Sequence, residues 1–150
     1  MSYTPQEYVV ELNKRLGEIN FANKYIFGAV ADTHATYVNR LFLKGQGSTG
    51  AKIGTYSKAY KKRKAKKGSG RGKVTSFVNL QFTMQMSDDI VNSLTRQGNT
   101  VVNGAKGKFS GQKLGWNIER YGETVFKLSN NERKELDKDI ADAVIKIFKS

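Results

Sequence analysis

The sequence contains no cysteine, a single proline and a single histidine, and these absences limit the functions that the chain can have. Without cysteine, neither a disulfide framework nor a thiolate metal site can form. No stretch reaches the ~20 apolar residues that a membrane-spanning helix needs, and residues 1–12 lack the apolar run of a signal peptide. The sequence therefore predicts a protein made and used in a cytoplasm, or carried in a larger particle, with no membrane partner.

Acidic residues are also absent from a long central stretch, since none lies between Asp32 and Asp88. Within it, residues 56–73 hold nine of the 26 basic side chains of a chain whose net charge is +13. Like charges at this density resist burial, which predicts that the segment lies on a surface, in a groove or against an anionic partner. We therefore expect contacts with a partner or with DNA from the following side chains: Tyr56, Lys58, Tyr60, Lys61, Lys62, Arg63, Lys64, Lys66, Lys67, Arg71 and Lys73.

Tyr56 and Tyr60 are four residues apart and stand among these bases, which leaves two interpretations open. Aromatic side chains set among cations can stack on unpaired nucleic-acid bases. Alternatively, the pair anchors a short amphipathic helix to the body of the protein while the lysines stay hydrated.

At 150 residues, the chain is predicted to form a single domain, 1–150, that buries roughly 70% of the surface exposed by its unfolded form. Residues 44–73 are rich in glycine and lysine and predict a long basic excursion, with one short helix over 57–66. Loops of this length are uncommon in compact domains unless they are functional or disordered until bound. We expect the excursion to be disordered in a free subunit, and protected amides in hydrogen exchange would contradict this.

Helical signals are strongest at the two ends of the chain. Thr4 precedes a proline and stands three residues before Glu7, which predicts a capped first helix, and a break is expected over 17–23. A second helix is expected to end at Gly45, and a third over 110–121. Ser129 and Glu132 repeat the capping pattern before a long C-terminal helix with an apolar stripe at Leu136, Ile140, Val144, Ile147 and Phe148.

Strand signals are shorter and lie in the middle of the chain. Residues 74–84 regain apolar and β-branched side chains, which suits a strand. Residues 90–94 and 100–102 predict a β-hairpin, with Gly98 and Asn99 near its turn.

No catalytic site can be assembled from the sequence. Gly45, Gly47 and Gly50 match a dinucleotide fingerprint by spacing, but a helix precedes them where that motif needs a strand. His34 is a lone histidine in a predicted helix, and the pair Asp88-Asp89 is best interpreted as a polar cap. We predict that the protein is not an enzyme and that it uses no cofactor or metal.

Five motifs extend from residue 39 toward the C-terminus. They are Asn39-Arg40-Leu41-Phe42-x-x-Gly45, Gly50-x-x-Ile53-Gly54-x-Tyr56-Ser57, Tyr60-x-x-Arg63-x-x-x-x-Gly68, Val78-Asn79-Leu80-x-x-Thr83-x-x-Met86-x-x-x-Ile90 and Trp116-Asn117-x-Glu119-Arg120-Tyr121-Gly122-x-x-x-Phe126-x-Leu128-Ser129-x-x-Glu132. Together they resemble the motifs of neck and tail-completion proteins of tailed bacteriophages, in particular those from phages of Bacteroidetes-type hosts. The family's usual Thr/Ser-Gly step reads Thr83-Met84 here.

The resemblance implies an α+β fold, in which a small, mostly antiparallel sheet packs against the N-terminal and C-terminal helices. It implies a structural role in the virion, assembled in the bacterial host cytoplasm. Copies would form a homo-oligomeric ring of six or twelve between the head connector and the tail-tube proteins, with DNA passing through the channel. The alternative is a nonspecific nucleic-acid-binding protein that uses the Lys/Arg-rich segment as its electrostatic footprint.

Overall fold

The fold is built almost entirely from helices. The computed structural model describes residues 4–20, 23–97, 100–102 and 107–149. In chain order, its elements are α1 Pro5–Gly17, α2 Lys24–Val38, a π-helical turn Asn39–Leu43, α3 Lys58–Lys67, a 3-10 turn Gly70–Lys73, α4 Gln85–Val91, β1 Thr95–Gln97, β2 Thr100–Val102, α5 Lys108–Tyr121, a 3-10 turn Glu123–Phe126 and α6 Asn130–Lys149.

The predicted α+β fold, with a small antiparallel sheet packed on the terminal helices, is wrong. In the described ranges, the only strands are β1 and β2, which pair antiparallel with Thr95 opposite Val102. The predicted second strand, 100–102, is confirmed, but the predicted first strand, 90–94, is wrong, because Ile90 lies within helix α4 and β2 pairs with 95–97 instead. Gly98 and Asn99, predicted for the turn, lie outside the described residues.

Residues 74–84 form no strand, although their side chains predict one. Here the backbone is held by side chains: the amide of Asn79 donates to Tyr56 Oη at 3.1 Å, and that of Gln81 donates to Asn79 Oδ1 at 3.3 Å. Leu80 and Met84 have φ angles of 55° and 65°, a left-handed conformation that interrupts an extended chain. Val78 is fully buried here, so its β-branched side chain reflects burial and not strand pairing.

The predicted break between the first two helices is confirmed. Helix α1 begins at a capping box, in which Thr4 Oγ1 accepts from the amide of Glu7 at 3.3 Å and the Glu7 carboxylate accepts from the Thr4 amide at 2.8 Å. It ends at Gly17, and α2 begins after Asn23, whose side chain caps the new helix. These local hydrogen bonds satisfy backbone groups that a helix end leaves free.

The predicted capping of the C-terminal helix is also confirmed, although Phe148 of its predicted apolar stripe is exposed. The amide of Ser129 donates to Glu132 Oε2 at 2.6 Å, and the amide of Glu132 donates to Ser129 Oγ at 3.2 Å, which caps α6. Helix α5 ends at Gly122, whose φ of 87° suits glycine. Helix α6 packs along α2.

Two apolar clusters form the core. The larger joins α2, the π-helical turn, α4 and the 3-10 turn before α6, through Tyr37, Leu41, Phe42, Met86, Ile90 and Val125. The smaller joins α2 to α6 through Ile26, Ala143 and Ile147, with Ile19 packed against it. Because Ile19 follows α1, this smaller cluster secures the C-terminal end of that helix to the body.

Candidate interaction surface

The basic segment is largely helical and lies against the body. Ser57 caps α3 by accepting from the amide of Tyr60 at 3.3 Å, so the predicted short helix is confirmed. The predicted long basic loop is wrong, because 58–67 and 70–73 are helical and the Ser69 amide donates to the Phe82 carbonyl at 3.1 Å. The hydrogen bonds of this segment lead us to expect protected amides where the sequence predicts disorder.

The candidate contact residues fall into three groups by exposure. Tyr60 and Lys61 are half-buried, and Tyr56 and Lys64 are buried. The exposed members are Lys58, Lys62, Arg63, Lys66, Lys67, Arg71 and Lys73.

Lys64 contradicts the expectation that the whole segment is hydrated, because its exposed fraction is 0%. Its ammonium donates to the carbonyl of Gly72 at 2.5 Å, to Asn79 Oδ1 at 2.9 Å and to the carbonyl of Gln81. Three acceptors match the three protons of an ammonium group. Burial lowers the pKa of Lys64 to about 8, which keeps the group protonated at pH 7. Its place in the structure is internal, and it offers no surface contact.

Asn79 connects Lys64 to the rest of a buried polar network. Its side-chain amide donates to the carbonyl of Arg71 at 2.9 Å and to Gln81 Oε1 at 3.2 Å. Gln81 in turn donates to Ser87 Oγ at 2.9 Å, which carries the network into α4. This network was not predicted from the sequence. Two features could have indicated it: the polar Asn79 inside the apolar run 77–80, and Lys64, which lies one helical turn after Tyr60.

Tyr56 serves as an anchor, in agreement with the second of the two interpretations of the tyrosine pair. Its hydroxyl donates to Asn79 Oδ1 at 3.2 Å, and its ring lies 5.2 Å from Lys64 Nζ and 5.0 Å from the ring of Tyr60. Desolvation raises the pKa of Tyr56 to about 12. Tyr60 continues the contact to Phe82, with ring centroids 6.1 Å apart.

A second buried polar group ties α6 to the π-helical turn. Arg40 Nε donates to Glu132 Oε1 at 2.7 Å, and its other nitrogens donate to the carbonyls of Gln46 at 2.8 Å and Lys127 at 2.9 Å. Burial raises the pKa of Glu132, but hydrogen bonds from Arg40 and Ser129 outweigh it, so the net pKa is lowered. This ion pair fastens together segments that are distant in sequence.

An open groove of about 440 Å³ lies between α3 and α5, and we call it the α3–α5 groove. Its walls carry aromatic rings, amides and cations, and no carboxylate is among the described side chains that line it. Trp116, the only tryptophan of the chain, stands at its edge with 64% of its surface exposed. The residues that give the groove its chemistry are Tyr60, Arg63, Phe82, Lys113, Trp116 and Arg120.

The cations of the groove have neutral partners. Arg63 lies 5.5 Å from the Phe82 ring, Arg120 lies 5.5 Å from the Tyr121 ring, and Lys113 donates to Gln85 Oε1 at 2.8 Å. Burial raises the pKa of Tyr60, and the guanidinium charges of both arginines offset part of that rise. Because aromatic and amide groups do not neutralise these charges, the groove is a positively charged, aromatic-lined site.

Helix α1 presents an uncovered apolar surface, and we call residues 6–16 the α1 arm. Residues 6–10 are all exposed, including Tyr8 at 58%, Val9 at 54% and Val10 at 69%. The arm is held near its C-terminal end, where Arg15 donates to the carbonyl of Ile147 at 2.7 Å. Its first turns therefore project from the body with apolar side chains in water.

The other residues that the sequence offered as candidate site residues have structural roles. Gly45 and Gly50 belong to a tight loop closed by the bridge between Gln46 and Lys52, without the strand and helix of a dinucleotide site. His34 Nε2 lies 3.1 Å from the carbonyl of Ile90. The described residues contain no cluster of three metal-binding side chains, and none of their helices is long and apolar enough to cross a membrane.

Comparisons with known proteins supply no relative for this geometry: no family model, no curated protein and no solved structure matches the chain.

Proposed function

We propose that this chain is a structural protein of the phage neck, whose copies form a ring that joins the head connector to the tail tube. The α1 arm carries the proposal, because a single copy leaves its apolar side chains Tyr8, Val9 and Val10 uncovered. Contiguous exposed apolar surface marks a site of association. Fully burying a valine side chain contributes about 1.5–3 kcal/mol, so covering Val9 and Val10 favours assembly.

The specific role comes from the resemblance to neck and tail-completion proteins, from whose usual pattern the chain departs at Met84. The family usually has glycine at the position that Met84 occupies, and Met84 has φ 65°. Glycine adopts this left-handed conformation without the steric cost that other residues meet. We adopt the role that the resemblance implies but not the sheet that it implies, because the described strands are limited to β1 and β2.

A buried ion pair between two of the motifs supports the resemblance. Arg40 and Glu132 belong to separate motifs of the resemblance and form the buried ion pair at 2.7 Å. The two motifs therefore depend on each other for stability, because loss of one partner leaves a buried charge uncompensated.

Genetic removal of the chain from its phage tests the proposal. We expect DNA-filled heads and separate tails that do not join, and joining restored by the unmodified chain. The double variant Val9→Ser, Val10→Ser is expected to fold but to restore joining poorly. Its matched control is Val91→Ser, which alters a valine of similar exposure on α4. Normal particles formed without the chain would contradict the proposal.

Nonspecific nucleic-acid binding is a second candidate function, which the exposed cations of α3 favour. Lys62, Lys66 and Lys67 are exposed, and the segment around them has no acidic residue. If binding to phosphates is the function, replacing these three lysines by alanine reduces the salt slope of DNA binding by close to one for each phosphate that is no longer neutralised. The control replaces the exposed cations Arg133, Lys134 and Lys149 of α6. Equal slopes in both variants indicate general charge attraction and remove this candidate.

A further inference from the structure

We propose that the α3–α5 groove receives the α1 arm of a second copy of this chain. The inference rests on the proposed function only in requiring that copies assemble, and it names the contact that links one copy to the next. The projecting residues 6–10 of the arm combine exposed apolar side chains with the carboxylate of Glu7, and the groove combines aromatic rings with cations.

The groove provides positive charge that is free to pair. Arg63, Lys113 and Arg120 contact aromatic rings or an amide and have no carboxylate partner among the described residues. Exposed Trp116 adds a broad apolar surface beside them. Tryptophan, tyrosine and arginine are the side chains that dominate the energetics of protein interfaces.

The arm provides the complementary chemistry. Its projecting residues 6–10 carry Glu7 and no cation, whereas Glu11 is ion-paired with Arg15 at 2.8 Å, near the body. Hydrogen bonds from Thr4 lower the pKa of Glu7, so its carboxylate is ionised at neutral pH. The projecting half of the arm is therefore negative and apolar, and the groove is positive and aromatic.

The occupant of the groove is a second copy and not the chain's own arm. Residues 6–10 are exposed in the single chain, so they do not fill the groove of the copy to which they belong. Each copy thus offers one arm and one groove. A contact between two different surfaces repeats from copy to copy, and it closes into a ring when the rotation per copy permits.

Cysteine crosslinking tests the contact directly, because the chain has no cysteine of its own. Val10→Cys in the arm and Gln85→Cys at the groove are prepared as separate variants, mixed, and treated with a short bismaleimide. We expect a covalent dimer of one copy of each. The control pairs Val10→Cys with Ala141→Cys, an exposed position on α6 that does not line the groove. That pair is expected to give at least tenfold less dimer.

Charge reversal provides a second readout that does not depend on the crosslink. Arg120→Glu places a carboxylate at the groove and is expected to weaken assembly at least tenfold, because it then repels Glu7. Circular dichroism of the variant checks that the exposed position leaves the fold intact.

Three outcomes would overturn the inference. If native mass spectrometry shows rings but no Val10–Gln85 crosslink forms, the docking is wrong and the proposed ring function stands. If the chain stays monomeric in the same experiment, both fail. If a single-stranded oligonucleotide photocrosslinks at Trp116 while arm and groove give no dimer, the groove binds nucleic acid and the inference fails.

Discussion

Lys64 donates a hydrogen bond of 2.9 Å from its ammonium to Asn79 Oδ1, and all three of its hydrogen-bond acceptors are neutral. A charge can occupy such a site because each of its protons meets an oxygen, which offsets part of the desolvation cost. Gly72 lies against the same site, and a Cβ there would collide with the Phe82 carbonyl oxygen. The basic segment is therefore held in place by one of its own lysines.

Replacement of Lys64 is expected to destabilise the fold far more than replacement of its neighbours. Lys64→Ala removes the ammonium donor from the carbonyls of Gly72 and Gln81 and one of three donors from Asn79 Oδ1, and it opens a cavity, at a cost of roughly 2–5 kcal/mol. Lys66→Ala changes an exposed side chain and is expected to cost under about 0.5 kcal/mol. Urea unfolding of both variants measures the difference. A loss below about 1 kcal/mol for Lys64→Ala would refute the structural role of this ammonium.

Glu132 predicts a loss of stability in acid. Its pKa is lowered in the folded state, so below the ordinary value of 4.5 the unfolded chain takes up a proton more readily than the folded chain. The free energy of unfolding therefore falls as the pH falls through 4.5 and below. At pH 7, Glu132→Gln is expected to cost about 3–5 kcal/mol, because Arg40 then has no buried counter-charge.

The comparison of wild type with Glu132→Gln across pH supplies the control for this prediction. The difference in unfolding free energy between the two proteins should shrink as the pH drops from about 7 toward about 3. A difference that stays constant over this range would show that the ion pair is not the source of the acid sensitivity.

The left-handed backbone at Met84 predicts that glycine is more stable than alanine at this position. Met84→Gly and Met84→Ala both remove the side chain, so their difference reports the cost of φ 65°. We expect the glycine variant to be more stable by about 1 kcal/mol.

At Gly115, inside α5 with open space around it, the order of stability of glycine and alanine should reverse, with Gly115→Ala more stable than the parent by about 0.5–1 kcal/mol. Thermal unfolding decides both, and alanine above glycine at position 84 would contradict the backbone account.

Trp116 predicts how the groove responds to ions and to assembly. As the only tryptophan, 64% exposed, it should emit like a hydrated indole in the monomer. Iodide should quench it more strongly than caesium, because Arg63, Lys113 and Arg120 line the same groove and attract anions. Assembly should shift the emission to shorter wavelength. Equal quenching by the two ions, or emission unchanged by assembly, would contradict this description of the site.

Helix ends were predictable from the sequence because their causes are local. The capping boxes at Thr4 and Ser129 and the glycine after α5 act within a few residues, and the structure places them as expected. The burial of Lys64 was not predicted, because charge density treats a segment as uniform. The four-residue spacing from Tyr60 shows which lysine shares the face that turns inward.

The sheet was predicted wrongly and the groove was not predicted at all, because both depend on the packing of residues that are distant in sequence. The apolar character of residues 74–84 reflects burial around Asn79 and Gln81, which the sequence cannot distinguish from strand pairing. The groove is lined by Arg63 from α3 and by Trp116 and Arg120 from α5. No local pattern near any of these residues predicts that arrangement.

Immunogold electron microscopy of tailed particles from the source most directly tests the claim that this chain belongs to a phage neck. The antibody is raised against α6, whose residues 133–135 are exposed. The account predicts gold at the junction of head and tail, with one labelled position per particle. Particles without gold, and the protein recovered on intracellular nucleic acid instead, would contradict it and would make the exposed lysines of α3 a binding site in their own right.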